Sequence, residues 1–307
     1  YTVAISASVE NTLIKNYLGP DLKGSGVLIF GYDHNWNDAA YANTLLNDAT
    51  TRSYLSGIAW HMYVGQPSTM STEQSRYSGL QQYMTEYTPP VNQSWNDLGK
   101  YGEHLDITSA RNWSKSMLLF STASDTKGIE GEGSCYKGCG GYVNVNEATG
   151  GYTLTPAYYA MGQTSKFVQP GAFRIASNTF GNMTQFDSSK SLDDVAYKNP
   201  NGSKVLVVVN NSTTSKTFGV QWGTQSFTYT LPSKAIATFT WAGTGSTATY
   251  YTLTNRNSGK LLDVAGGSTS QGAAIVQNAA SGALSQQWSL ANTSNGYVEL
   301  VNRGSGE

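Results

Sequence analysis

Charge is scarce in this chain: Asp, Glu, Lys and Arg make up 13% of its 307 residues, and the net charge is -1. So neutral a surface excludes the basic footprint of a nucleic-acid binder. No apolar run is long enough to span a bilayer, so no membrane span is expected. Histidine occurs three times and cysteine twice, Cys135 and Cys139 in GSCYKGCGG, and no Cys/His set has zinc spacing. That cysteine spacing can close a small disulfide loop, which would place the protein in an oxidising, extracellular compartment. Sequons at Asn92, Asn112, Asn182, Asn201, Asn210, Asn211 and Asn292 point the same way, although Asn/Ser/Thr-rich chains also acquire them by chance. Residue 1 opens with YTVAISASVE, which has no signal-peptide pattern. What is abundant is Gly, Ser, Thr, Asn and Tyr, a composition suited to a neutral partner with ring faces to stack on, such as carbohydrate.

Residues 82–90 read QYMTEYTPP. Tyr83, Met84 and Tyr87 suit a buried strand, and the Pro-Pro pair must end it because proline cannot donate to a ladder. Glu86 therefore sits at the C-terminal tip of a buried strand, where a carboxylate is costly unless it serves a site. Catalytic groups collect at such tips in parallel barrels. A rim glutamate paired with an arginine is the alternative reading of the same stretch.

The flanking sequence repeats a strand–tip–helix rhythm. Residues 11–22 read as a helix that stops near Gly19–Pro20. A strand is expected over 26–33 with the polar tip Asp33, His34, Asn35 and Trp36, then one helix over 39–55. The next strand, 57–64, carries His61 and Tyr63; helical stretches follow at 71–80 and in part of 97–113. A last strand spans 116–121. Four such units make an α/β region, residues 1–166, read as the C-terminal half of a (β/α)8 barrel. Residues 167–242 change to all-β, with a hairpin around Asn199, Pro200, Asn201 and Gly202 and three further short strands, the size of a β-sandwich. After a Gly/Ser/Thr linker, residues 248–307 form a third module in which ELVNRGSGE echoes TLTNRNSGK, an internal repeat.

The words LGPDL, YDHNW, GIAWHMY, MTEY, RNWSKSMLL, CYKGCGG and TPAYYAMGQTSKFVQPGAFRIAS occur in this order across residues 11–241. In that order they resemble glycoside hydrolase family 30, which contains glucosylceramidases and microbial β-1,6-glucanases and β-1,6-galactanases. LDV at 262–264 and Q-x-W at 286–288 resemble a ricin-type β-trefoil lectin repeat. The first resemblance implies a retaining glycosidase without cofactor or metal, whose two carboxylates lie about 5 Å apart. It makes Glu86 the nucleophile and places His34, Asn35, Trp36, His61 and Tyr63 in the sugar pocket, with Tyr63 bonded to the nucleophile. The family's acid/base follows an Asn on a strand upstream of the LGP helix, so it is expected before residue 1. The upstream barrel half is then a partner, as more of the same polypeptide or as a nicked companion chain. STASDTKG stands where relatives carry a Trp-Asn-x-x-Leu-Asp word, so no contacts are carried over from that strand. In the lectin-like module the resemblance points to Asp263, Gln286 and Trp288. Residues 276–285 hold no Tyr or Trp, which favours a fold-only repeat. The expected protein is a secreted hydrolase of β-1,6-glucan or β-1,6-galactan. The rivals are a glucosylceramidase and an inactive carbohydrate-binding protein.

Overall fold

The computed structural model describes residues 4–125, 138–178, 192–242, 250–292 and 297–306. The chain forms two compact units, Tyr1–Pro200 with Lys204–Trp241, and Asn201–Ser203 with Ala242–Glu307.

The first unit opens with a helical run, α1 (Ala7–Leu13), a π-helical turn (Ile14–Leu18) and α2 (Gly19–Leu22). The run does not stop at Gly19–Pro20 as the sequence suggested. A proline ring clashes with the carbonyl four residues back in a regular α-helix, and the wider π turn before Pro20 relaxes that clash. Gly19 is helical and lies against Tyr54; a Cβ there would come 2.3 Å from the Tyr54 ring. Strands β1 (Phe30–Asn35), β2 (Gly57–His61), β3 (Gln82–Glu86) and β4 (Ser114–Met117) then form one parallel sheet in the order β1-β2-β3-β4. β1 starts four residues later than expected because its partner begins only at Gly57, opposite Phe30. The apolar Val27 and Leu28 before it are exposed. β4 lies earlier than expected. Beyond it the ladder goes on irregularly, Leu118 N–H donating to Met84 O and Phe120 N–H to Tyr87 O.

The helices between strands pack the sheet's apolar residues. The helix expected over 39–55 is two, α3 (Ala39–Asn47) and α4 (Ala49–Tyr54). Asp48 breaks it by capping α4, its Oδ1 accepting the N–H groups of Thr50 and Thr51 at 3.0 and 3.2 Å. Lys15 Nζ meets the other oxygen at 2.8 Å, and these bonds hold the Asp48 carboxyl well below the usual range. With α5 (Ser68–Arg76) these elements enclose Trp36, Ala42, Leu46, Ile58, Trp60, Met62, Met70 and Met84. Trp60 is inside this core, its Nε1 donating to Gln82 Oε1 at 3.1 Å.

Between β4 and the all-β region lie β5 (Ala123–Asp125), β6 (Val143–Val145), β7 (Tyr152–Leu154) and the helix Pro156–Ser165. β8 (Phe173–Ile175), β9 (Leu192–Lys198), β10 (Lys204–Asn210) and β13 (Ala235–Trp241) make an antiparallel sheet ordered β13-β10-β9-β8. The hairpin of β11 (Lys216–Trp222) and β12 (Gln225–Leu231) covers one face, with Phe218 and Leu231 against Leu206 and Val208. Val205, Val207 and Val209 point to the other face and bury Ile107, from the helical stretch Trp95–Arg111. Both faces of β10 are thus buried, which accounts for its unbroken apolar run.

In the second unit, β14 (Leu261–Val264) pairs with β15 (Ile275–Asn278), and β16 (Trp288–Asn292) with β17 (Val298–Asn302). The internal repeat is a repeated turn. Asn255 Oδ1 accepts the N–H groups of Asn257 and Ser258, and Asn302 Oδ1 those of Gly304 and Ser305. Of the sequons, Asn112, Asn210 and Asn211 are buried and cannot carry a glycan in the folded protein. Asn92 and Asn201 are exposed, and Asn182 lies outside the described residues.

Candidate active site

At the C-terminal ends of β1, β2 and β3 the side chains of Asp33, His61, Thr85 and Glu86 converge. Glu86 ends β3, its side chain 35% exposed. Tyr63, two residues past β2, donates its hydroxyl to Glu86 Oε1 at 2.9 Å and lies 2.8 Å from Thr88 Oγ1. His61 Nδ1 stands 3.8 Å from the same Glu86 oxygen. On its far side His61 Nε2 meets Asp33 Oδ1 at 3.1 Å, and Thr85 donates to that oxygen at 2.6 Å. One imidazole therefore spans two carboxylates. Among the described residues Glu86 Oε2 has no hydrogen-bond partner, which leaves one carboxylate oxygen open for reaction.

The electrostatics separate the roles. The His61 contact and the Thr85 hydroxyl hold the Asp33 carboxyl below the usual range against the opposing effect of partial burial. Asp33 is therefore a fixed negative charge, ill-suited to donate a proton. Burial, aided by the adjacent Glu86 charge, raises Tyr63 above the ordinary phenol value, although its contact with Thr88 acts the other way. Tyr63 stays a protonated donor at neutral pH. A half-exposed carboxylate with a phenol donor and a flanking imidazole has the makings of an oriented nucleophile.

The expected residues fall into three groups. Glu86, His61 and Tyr63 stand together, and the His34 ring lies 5.8 Å from that of His61, edge to face. Asn35 is buried, and its Oδ1 accepts the backbone N–H groups of Tyr63 and Val64 at 3.0 and 3.3 Å. Through that oxygen it shapes the loop carrying Tyr63. Trp36 is 1% exposed and belongs to the core, not to an open pocket. The chain turns inward directly after β1, and Gly65 closes over Trp36; a Cβ at Gly65 would lie 2.9 Å from Trp36 Cβ. Asp33 and Thr85 are site residues that strand-tip reasoning did not single out. Asp33 stood within the quoted polar tip, but its reach to His61 depends on a bulge in β1 that no residue type announces.

Asp263, Gln286 and Trp288 are buried and bonded within their own unit. Asp263 Oδ2 accepts from Asn278 Nδ2 at 3.0 Å and Gln286 Nε2 at 3.1 Å, and Trp288 Nε1 donates to Leu262 O at 3.1 Å. The lectin-like words thus act as internal struts. Cys139 bridges Pro90 in the loop after β3, and Cys135 lies outside the described residues. Among the described residues no group of three His, Cys, Asp or Glu could hold a metal ion, and no helix is long and apolar enough to cross a membrane.

Comparison with known proteins brings in both modules. Residues 171–239 match the glycosyl hydrolase family 30 beta sandwich domain, and residues 236–307 the ricin-type beta-trefoil lectin domain-like family. An endo-1,6-beta-D-glucanase of Aspergillus fumigatus is 34% identical over 205 residues, 64% of this chain and 39% of the relative. One from Neurospora crassa is 34% identical over 219 residues, 68% of this chain and 44% of the relative. A putative glucosylceramidase of Caenorhabditis elegans is 28% identical over 226 residues, covering 69% of this chain and 42% of the relative. The chain spans about two fifths of the length of these curated relatives. Among solved structures, an endo-β1,6-glucanase superposes with a TM-score of 0.69 at 24% identity, over 78% of this chain and 55% of that one. A family 30 endoxylanase from Clostridium papyrosolvens gives 0.58 at 16% identity, over 78% and 61%. At these identities the two structures speak to fold.

Proposed function

From a chain that carries the β-sandwich domain of glycosyl hydrolase family 30 and a ricin-type lectin-like domain, with endo-1,6-β-glucanases and glucosylceramidases as homologues, we propose that it is part of a retaining β-glycosidase acting on β-1,6-linked glucan. The single observation that carries the reading is Glu86 at the end of β3, held by the Tyr63 hydroxyl at 2.9 Å with its second oxygen open. Glu86 attacks the anomeric carbon and forms a glycosyl ester while an acid/base protonates the leaving oxygen. That second group then takes a proton from water, whose oxygen attacks the anomeric carbon and releases both sugar and Glu86. Asp33, held ionised, is no candidate for the second group. The reading assigns the acid/base to polypeptide preceding residue 1, on strands that complete the parallel sheet beyond β1 and β4. Glucan is preferred to glucosylceramide because the glucanases are the more similar relatives, 34% against 28%.

A 2-deoxy-2-fluoro-β-glucoside with a dinitrophenolate leaving group tests this, because that leaving group needs no acid and the fluorine slows release of the ester. Mass spectrometry of the digested protein is expected to find the adduct on Glu86. An adduct on another residue, or none on a folded protein, overturns the assignment.

A further inference from the structure

β1 leaves regular strand geometry at the two residues that carry Asp33 into the site. Tyr32 and Asp33 have φ of 78° and 59°. The register to β2 slips there, Tyr32 standing opposite Ala59 and His34 opposite Trp60, so Asp33 is the extra residue of a bulge. For residues with a Cβ the left-handed backbone is strained. Such strain persists only where the surroundings over-determine it. The Tyr32 hydroxyl donates to Asn35 O, and its ring lies 5.1 Å from Trp60 and 5.2 Å from Tyr41. These contacts hold the ring. The backbone of the bulge has a separate hold. Glu10, on α1, accepts the Tyr32 N–H with Oε1 at 2.9 Å. β1 is the outer strand of its sheet, so this amide points where no strand of the sheet receives it. The Tyr41 hydroxyl, which donates to Ile5 O at 3.2 Å, is raised above its ordinary range by burial and next by the neighbouring Glu10 carboxylate.

We propose that Glu10 is a positioning residue: by capping the Tyr32 N–H it fixes the β1 bulge, the bulge fixes Asp33, and Asp33 orients His61 beside Glu86. The last link rests on Glu86 as the nucleophile; the link from Glu10 to Asp33 does not. A merely structural acidic residue on α1 would contribute stability and leave the Asp33 environment alone. The bond needs an acceptor oxygen and not a charge, so an amide should replace the carboxylate.

The test compares the parent with Glu10→Ala, Glu10→Met, which keeps bulk without an acceptor, and Glu10→Gln, which keeps the acceptor. Two readouts are taken on variants folded by circular dichroism. One is the Asp33 carboxyl titration by carbon NMR, its signal identified with Asp33→Asn. The other is kcat and KM on an aryl β-glucoside. In Glu10→Ala and Glu10→Met the Asp33 titration is expected to move up toward the ordinary carboxylate range. There kcat should fall about tenfold with KM little changed, the pattern of a misaligned reacting group. Glu10→Gln should restore both. A folded Glu10→Ala or Glu10→Met in which Asp33 titrates as in the parent overturns the proposal, as does a Glu10→Gln that fails to keep the parental Asp33 titration. Turnover is read with the polypeptide that supplies the acid/base present; a parent without turnover then counts against the nucleophile reading alone, and the Asp33 titration still decides the link from Glu10.

Discussion

At the scale of single residues, Tyr63 decides how Glu86 is presented. Its hydroxyl is the donor on Oε1, and a hydrogen bond to a charged group contributes about 1.5–3 kcal/mol. Because that bond also fixes where the Glu86 carboxylate points, Tyr63→Phe should lower kcat by roughly 10- to 100-fold through misaligned attack. Steady-state rates on an activated glycoside check this. A near-parental kcat would show that the phenol does not orient the nucleophile. Glu86, His61 and Tyr63 were legible in the sequence because each sits at or just past a strand end, and strand ends follow from apolar runs and proline breaks. Asp33 and Glu10 were not. The reach of Asp33 to His61 and the bond from the Tyr32 N–H to Glu10 depend on two consecutive left-handed residues that are neither glycine nor asparagine, and Glu10 lies on a helix 22 residues upstream of Tyr32. Trp36 was placed in the pocket by the resemblance of the YDHNW word, and a word match carries no burial: the chain turns inward after β1 and packs the indole into the core.

At the scale of elements, the stretch Trp95–Arg111 shows how much of a helix lies beyond local pattern. It reads as mixed in sequence and is a chain of short helical segments with a π-helical centre, Glu103–Thr108. Its polar residues face inward and are legible only once their partners on distant strands are known. Glu103 Oε2 accepts from Asn211 Nδ2 at 2.8 Å, and Arg111 pairs with Asp194 at 3.1 Å. Asp106 is buried against Thr164, whose hydroxyl donates to Oδ1, while Oδ2 has no hydrogen-bond partner. Burial pushes its carboxyl well above the usual range, outweighing the Thr164 bond. The folded state therefore holds a proton that the unfolded chain releases near pH 3.9. Stability from this group is full below that pH and declines as pH rises toward the folded value. Asp106→Asn keeps an acceptor for Thr164 and removes the charge. Its melting temperature is expected to exceed the parent's at pH 8 and to approach it at pH 4. An unchanged difference between the two pH values would mean that Asp106 is already compensated.

At the scale of the whole molecule, the order of modules was readable because each has its own period: strand–helix alternation, then alternating strands, then a repeated Asn turn. Among the described residues the parallel sheet has two open edges. β1 and β4 are its outer strands. Ile5 just before α1, Val9 and Leu13 on α1, and Tyr17 in the turn after it are exposed at 36%, 53%, 39% and 60%, at four-residue spacing. Val27, Leu28 and Phe30 beside β1, and Leu118 and Phe120 beyond β4, are also exposed. Apolar stripes next to open strand edges are surfaces that proteins usually cover. On the proposed reading, polypeptide preceding residue 1 covers them, adding parallel strands to the sheet edges, on β1 outside the Tyr32 amide that Glu10 already caps, and helices over the α1 stripe. Hydrogen exchange should then show the amides of residues 7–22 and 30–35 more protected when that polypeptide is present, and native mass spectrometry should find the two associated if the chain is nicked between them. A monomer of these 307 residues that alone hydrolyses β-1,6-glucan would overturn the reading, because it would place both carboxylates within this chain and leave the open edges without a partner to explain.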